Sequence, residues 1–287
     1  MASRLSKLTS RHGEWVTDAD HKIDVYHVTS PHLLIQAAGY LKHVTGKEGL
    51  YGIHFRGQAT LYGNSLKPTL YRVTKTKGNA AKQNGALYAY IKECQQKSEV
   101  LKHLPEYAWE AVLQHYGIKT RWVDVVDNVW IALWFACQKA HATGHQGEYF
   151  HFEQRQPQGN SDYAYVLLIK ADHTPDVHQP GFYSGKNTEL VDLRVAAPSM
   201  FLRPHAQTGL LVRQKGEVGG AIIDYKDLVA GIIRVSLHDA LHWLGQGKLL
   251  STHVLFPPPV YDFGYRDLLN FAPKPPKDLG AIQHVGA

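Results

Sequence analysis

The side chain with the plainest chemical potential is Arg56, which ends the apolar run Tyr51-Gly52-Ile53-His54-Phe55 and is followed at once by Gly57 and Gln58. A guanidinium stays charged at any physiological pH, and its planar fork matches phosphate or carboxylate oxygens two at a time. With a glycine beside it that lets ligand or backbone come close, Arg56 is a candidate anion clamp. A surface arginine at a strand end is the simpler alternative. Two further polar sets sit in apolar surroundings: Gln114-His115-Tyr116-Gly117 with Thr120-Arg121 and Asp124, and Arg203-Pro204-His205-Ala206-Gln207-Thr208-Gly209 leading into Leu210. Each has a bland explanation: Gln114 and His115 as helix-end residues, Arg121 and Asp124 as a structural ion pair, Gln207 as a turn residue. Together, a clamp, an aromatic shelf and a polar strand end are what a dinucleotide site needs. The expectation is one concave pocket lined by Arg56, Arg121 or Asp124, and Gln207.

Other chemistries leave no trace. The chain has no glycine-rich nucleotide loop, nucleophile elbow or zincin histidine pair. His238 and His242 have helical spacing but no glutamate between them, so no metal is expected. Cys94 and Cys137 each fall in a segment that reads as helical, and are expected as small buried side chains, not as a disulfide or zinc framework.

These residues must be carried by elements that the patterning predicts. Ser30-Pro31 opens a helix over His32 to Val44, and Leu50 to Arg56 is the strand that delivers the arginine. Leu66 to Arg72 runs extended because of Pro68. A long helix follows from Ala80 to about Leu104, and a second, opened by Pro105, is stopped by Gly117. Asp127 or Asn128 caps a helix from Val129 to Ala142 that is apolar almost all round, hence buried. Thr143 to Ser161 reads as a loop or lid. Strands are expected at Tyr163 to Lys170, Glu189 to Val195, Leu210 to Gln214, Gly220 to Asp224 and Val229 to Ser236, then a helix from His238 to Leu244. Helices mainly in the N-terminal half and strands in the second predict an α+β fold, with the helices packed on a mixed or largely antiparallel sheet. The expected organisation is a flexible N-terminus over 1–22, one domain over 23–270 and a flexible tail over 271–287.

Length and composition fit this. The 287 residues suffice for a sizeable core, and 44% hydrophobic and 20% charged residues are ordinary for a globular chain. With no apolar h-region near the start and no run long enough to span a bilayer, a soluble, cytoplasmic protein is expected. The net charge of +6 favours an anionic partner, with a modest basic cluster at Lys67, Arg72, Lys75, Lys77 and Lys82. Such a cluster is a solvated loop or a nucleic-acid contact.

The order Phe55-Arg56-Gly57, Leu66-Lys67-Pro68-Thr69-Leu70-Tyr71-Arg72, Gln114-His115-Tyr116-Gly117 with Thr120-Arg121 and Asp124, and Ile131-Ala132-Leu133-Trp134-Phe135-Ala136 resembles the FRG-domain family, named for its Phe-Arg-Gly motif. Arg203 with Gln207-Thr208-Gly209-Leu210, and Leu255-Phe256-Pro257, resemble its later segments. Where that pattern has Leu-Leu-Asp-Trp, this chain has Trp122-Val123-Asp124-Val125. The aromatic-Arg-Gly strand end is also similar to the first motif of arginine-class ADP-ribosyltransferases. That resemblance implies an ADP-ribosyltransferase-like fold, NAD as substrate and an arginine on its phosphates; the FRG-domain resemblance implies a toxin or phage-defence effector. Arg56, Gly57, Tyr71, His115, Tyr116 and Arg121 would bind NAD, with Tyr116 or Tyr71 stacking on a ring. Arg56 and either Gln207 or Glu217 would be catalytic, passing ADP-ribose to a macromolecular acceptor such as nucleic acid. A non-catalytic nucleotide- or nucleic-acid-binding module and an NAD glycohydrolase are the alternatives.

Overall fold

The structure, a computed structural model, describes residues 13–47, 51–63, 65–72, 77–159, 162–216 and 224–286. In chain order its strands are β1 (Gly13–Asp18), β2 (Ile23–Val28), β3 (Tyr51–Gln58), β4 (Val123–Val126), β5 (Gln138–Thr143), β6 (Tyr149–Gln154), β7 (Tyr163–Asp172), β8 (Phe182–Ser184), β9 (Thr188–Asp192), β10 (Gly209–Gln214), β11 (Val229–Ser236) and β12 (His284–Gly286). The helices are α1 (Pro31–Lys47), α2 (Lys77–Lys97), α3 (Glu99–Lys102), α4 (Glu106–His115), α5 (Val129–Ala136), α6 (Leu193–Ala196), α7 (Leu202–Ala206), α8 (Leu237–Trp243), α9 (Thr252–Leu255) and α10 (Phe263–Phe271).

The strand that carries Arg56 lies in the middle of a nine-stranded sheet of order β1-β2-β11-β7-β3-β4-β10-β9-β8. Within this sheet, among the described residues, only β11 and β2 pair in parallel, so the α+β fold has a mixed, largely antiparallel sheet. Because side chains alternate across a strand, each strand feeds two cores. Ile53, Phe55, Val126, Val166 and Leu168 face the layer of α1, α5 and α8, and Val191 and Leu211 continue that face beneath α4 and α10. Val123, Val125, Leu167, Ile169 and Leu210 face the other way, where Leu61, Leu66, Tyr225 and Leu228 cover them without a long helix.

The helix after β4 is the spine of the first layer. Asn128 caps it, its side chain accepting from the Trp130 N–H at 2.9 Å, and six of its eight residues are buried. It ends at Ala136, short of the expected Ala142. Gln138 to Thr143 instead pairs with β6 as a hairpin, turned by Gly144 and Gly147 at φ 91° and 75°. The stretch from Thr143 to Ser161, expected as a loop or lid, therefore contributes a strand to a second sheet of order β12-β6-β5. The long helix expected to Leu104 breaks at Ser98, whose hydroxyl caps α3 through Leu101 N–H. Both ends of the described chain pack as well. Residues 13–18 form an edge strand on β2, and Leu279, Ala281 and Ile282 are buried against the body of the molecule, with Lys119 N–H donating to Leu279 O at 2.8 Å. A half-exposed edge strand has few apolar residues to show, which hid the first of these in the sequence; the second is a short apolar run, Leu279 to Ile282, after a proline-rich stretch. Most of the expected strand Gly220 to Asp224 lies outside the described residues. Among those described, no helix is long and apolar enough to cross a membrane.

Candidate functional site

Successive residues of the Phe-Arg-Gly stretch go to different places. Phe55 enters the helix-side core. Gly57 faces the same way and lies against α5, where an added Cβ would stand 1.8 Å from Ala132 O. The close approach that this glycine permits is thus of a helix backbone, and there is no room at Gly57 for a cofactor. Arg56, between them, emerges on the opposite face.

There Arg56 lines a cleft of about 280 Å³ together with Gln58, Tyr62, Leu66, Lys67 and Arg72. Its Nη1 donates to Asp124 O across the strand pair at 2.7 Å, while its Nε–H is buried without an acceptor. Among the described residues no carboxylate lies within 4.0 Å of Arg56, Lys67 or Arg72. Burial lowers the guanidinium's pKa; the nearby Asp124 acts against this, and Arg72 adds to it. Three cations thus share one concavity without a carboxylate in direct contact among the described residues, and the buried part of Arg56 is where an entering anion would gain most.

The far wall of the cleft is held in place from both ends. Ser65 Oγ and Leu66 N–H donate to the Asp224 carboxylate, each at 2.8 Å, and Leu66 O accepts from Tyr225 N–H at 2.9 Å. Leu70 N–H donates to Thr120 O at 3.2 Å. Asp224 is engaged in holding the start of this segment, which is not extended to Arg72 as expected but turns through a short 3-10 helix at Thr69–Tyr71 after Pro68, so Lys67 and Arg72 are presented on a fixed strip of chain. In the sequence both belong to the scattered basic cluster; only the path around Pro68 brings them opposite Arg56. Lys75 lies outside the described residues.

The second polar set is a network beneath α4. Gln114 Nε2 donates to Asp124 Oδ2 at 2.7 Å, and its Oε1 accepts from Thr120 Oγ1 at 2.6 Å. His115 Nδ1 stands 3.8 Å from Asp124 Oδ1. Burial works to raise the Asp124 pKa, but His115, Arg56 and the Gln114 amide outweigh it and hold the carboxyl below its ordinary range. The expected ion pair of Arg121 with Asp124 is replaced. Arg121 meets Glu110 through both Nε and Nη2, and Glu110 Oε1 also accepts the Arg121 backbone N–H. The reason is positional: Glu110 and Arg121 face each other across the α4–β4 connection, whereas Asp124 turns toward α4's last turn.

The remaining candidates fall on the helix side. Tyr116 is completely buried, its hydroxyl donating to Asp262 Oδ2 at 2.7 Å and its ring stacked on Tyr265, so it offers no face to a ligand. Tyr71 is equally buried, bonded to Asn84 Oδ1 at 2.7 Å. Arg203 is enclosed by the rings of Tyr116 and Tyr265, 4.4 and 4.6 Å from their centroids, and donates to His115 O. Gln207 donates from Nε2 to Leu255 O at 2.7 Å, inside the helix-side core. The expected common pocket is therefore divided: Arg56 faces one side of the sheet, Gln207 the other, and Arg121 lines a separate groove. Glu217 lies outside the described residues. Tyr62, 66% exposed at the cleft, had no sequence signal beyond its place in a polar turn. No group of metal-ligating side chains occurs among the described residues, and Cys94 and Cys137 are buried, with burial raising their thiols to about 11 and about 12.

Residues 52–145, about a third of the 287-residue chain, match the FRG domain. The match includes Arg56, the cleft wall and the Gln114 to Asp124 network, and stops before Arg203 and Gln207. No curated protein and no solved structure matches the chain.

Proposed function

We propose that this chain, a protein with an FRG domain, uses that domain as a nucleotide-binding module, with the phosphates of a dinucleotide such as NAD held in the Arg56 cleft. The observation that carries the reading is the charge balance at Arg56: a guanidinium with an unused N–H, beside Lys67 and Arg72, with no carboxylate within 4.0 Å of any of them among the described residues. A diphosphate supplies two neighbouring anionic groups and the oxygens that an arginine fork binds best. The overall charge of +6 works in the same direction by drawing anions toward the surface.

Transfer of ADP-ribose is the second reading, and the aromatic-Arg-Gly strand end favours it. It needs an acceptor near the ribose to stabilise positive charge as the nicotinamide bond breaks. Gln207 is on the far face of the sheet and Asp224 is engaged in the cleft wall, which leaves Glu217 as the residue to test. Calorimetric titration separates the readings. NAD and ADP-ribose are expected to bind and adenosine not to, with Arg56→Met weakening binding about tenfold or more, as loss of a charged hydrogen bond requires. Adenosine binding as tightly as ADP-ribose, or an unchanged Arg56→Met, would overturn the phosphate cleft. Nicotinamide release from NAD that disappears in Glu217→Gln would promote the transfer reading.

A further inference from the structure

The second groove of the molecule lies between α2 and α4. Positions 84, 87, 88, 91 and 92 of α2 fall on one helical face, and Glu106, Trp109 and Glu110 of α4 face them. The cavity measures about 240 Å³, less than the roughly 300–1,000 Å³ of a pocket for a whole small molecule, so it has room for one ring system. Its walls are aromatic: Tyr88, 60% exposed, and Trp109 on one side, the Tyr107 and Phe182 pair on the other. Trp122, only 1% exposed, forms part of the floor, and its indole N–H is buried without an acceptor.

The groove and the cationic cleft are separate cavities that flank residues 71 and 72. Arg72 lines the cleft, while its neighbour Tyr71 bonds through its hydroxyl to Asn84 in the groove. The groove already holds a stand-in for a stacked group. The Lys92 ammonium lies 5.4 Å from the Tyr88 ring centroid and 5.1 Å from that of Trp109, with an exposed contact to Glu106 at 3.4 Å and a side-chain hydrogen bond to Tyr88. Such a contact is weak and a lysine side chain is easily displaced. The groove thus combines aromatic faces for stacking, an unused donor that asks for an acceptor, and a cationic cleft next door. A purely apolar ring leaves the donor unsatisfied; a nucleobase carries ring nitrogens and carbonyls that accept, and two faces that stack.

We infer that the groove between α2 and α4 is a nucleobase platform, taking the base of the nucleotide whose phosphate lies on Arg56 or that of an adjoining nucleotide in a single strand. The inference rests on the phosphate reading of the Arg56 cleft and extends it. The test compares inorganic pyrophosphate, ADP, a single-stranded deoxythymidine octamer and an abasic octamer as ligands of the full chain. The proteins are wild type, Tyr88→Ala, and Tyr88→Ala combined with Trp109→Ala. Tyr88→Ala alters an exposed side chain and keeps the comparison meaningful if the double variant fails to fold. Removal of one or both rings should weaken ADP or the base-bearing octamer about five- to a hundredfold, the scale of base–aromatic stacking, and leave pyrophosphate and the abasic octamer unchanged. Loss confined to ADP assigns the platform to the bound nucleotide itself; loss confined to the octamer assigns it to a neighbouring base. The inference is overturned if the variants bind ADP and the octamer like wild type, or if pyrophosphate weakens equally. Pyrophosphate binding that vanishes in Arg56→Met while base-bearing ligands gain nothing sinks the platform and spares the cleft; no pyrophosphate binding to wild type sinks the cleft itself.

Discussion

Arg56 and Arg121 come from the same matched domain and each reaches part of the way into the protein, yet they are in opposite electrostatic situations. Arg121 is gripped by Glu110 at two nitrogens, and Arg213 adds a second cation 3.7 Å from the same carboxylate. Burial alone would lower its pKa, but the Glu110 hydrogen bonds and charge raise it above the ordinary arginine value. Arg56 has only a backbone carbonyl, and burial moves its pKa the other way. The difference teaches which arginine the fold has consumed and which it has left for something else. Arg121 arrives with its counter-charge, whereas Arg56 is held by a neutral carbonyl with Lys67 and Arg72 beside it.

The largest effect expected in testing this contrast belongs to the residue beside Arg56. Gly57→Val forces a side chain into the backbone of α5, where even a Cβ would stand 1.8 Å from Ala132 O. It should cost about 3 kcal/mol or more, read as loss of a cooperative unfolding transition or of soluble protein. Stable Gly57→Val would mean that the glycine serves the cleft and not the helix. Arg121→Met should come next, at about 3 kcal/mol, because it leaves the buried Glu110 charge with the residue-121 backbone N–H and the more distant Arg213. If denaturant unfolding shows Arg121→Met as stable as wild type, Arg121 is no more committed than Arg56 and the contrast collapses.

A smaller effect concerns pH. His54, two residues before Arg56, is buried with neither ring nitrogen bonded, and burial lowers its pKa to about 4. The unfolded chain takes up the proton near the ordinary value of about 6.5, so stability falls as pH drops from there and levels off below about 4. Between pH 7.5 and 5 the His54 share is about 2 kcal/mol, which His54→Leu should remove from the pH profile of denaturant midpoints. An identical profile in that variant would show that His54 carries a partner in solution. The smallest stability change, within about 1 kcal/mol, is expected for Arg56→Met, since removing an unbalanced charge offsets the lost hydrogen bond. Its signature is lost anion binding at nearly unchanged stability. A large stability loss would place Arg56 among the structural residues.

Much of this was legible in the chain. The apolar run ending in Arg56, the all-round apolar helix after Asn128, the stop at Gly117 and the strand at Leu210 are written in local periodicity and turn chemistry, which act over a few residues. The hairpin at Gln138 to Gln154 and the edge strand Gly13–Asp18 were not, because mostly polar strands differ little from loops until a partner strand is in place. Among the candidate residues, charge and type could nominate Arg56, Arg121, Asp124 and Gln207, but alternation across the sheet decided that Arg56 and Gln207 face opposite sides.

The sequence by itself determined the kind of molecule: a chain whose residues 52–145 match the FRG domain, with a central strand, a buried helix and a permanently charged side chain at the strand's end. Only the tertiary structure decided what each residue of that strand end is for. Phe55 went to the core, Gly57 to the close packing of α5, and Arg56 to a cleft that Lys67 and Arg72 reach by the path around Pro68. The reason is that pairing of charges depends on distances between segments far apart in the chain. Glu110 claims Arg121, and among the described residues no carboxylate claims Arg56, a fact of geometry that no local pattern records.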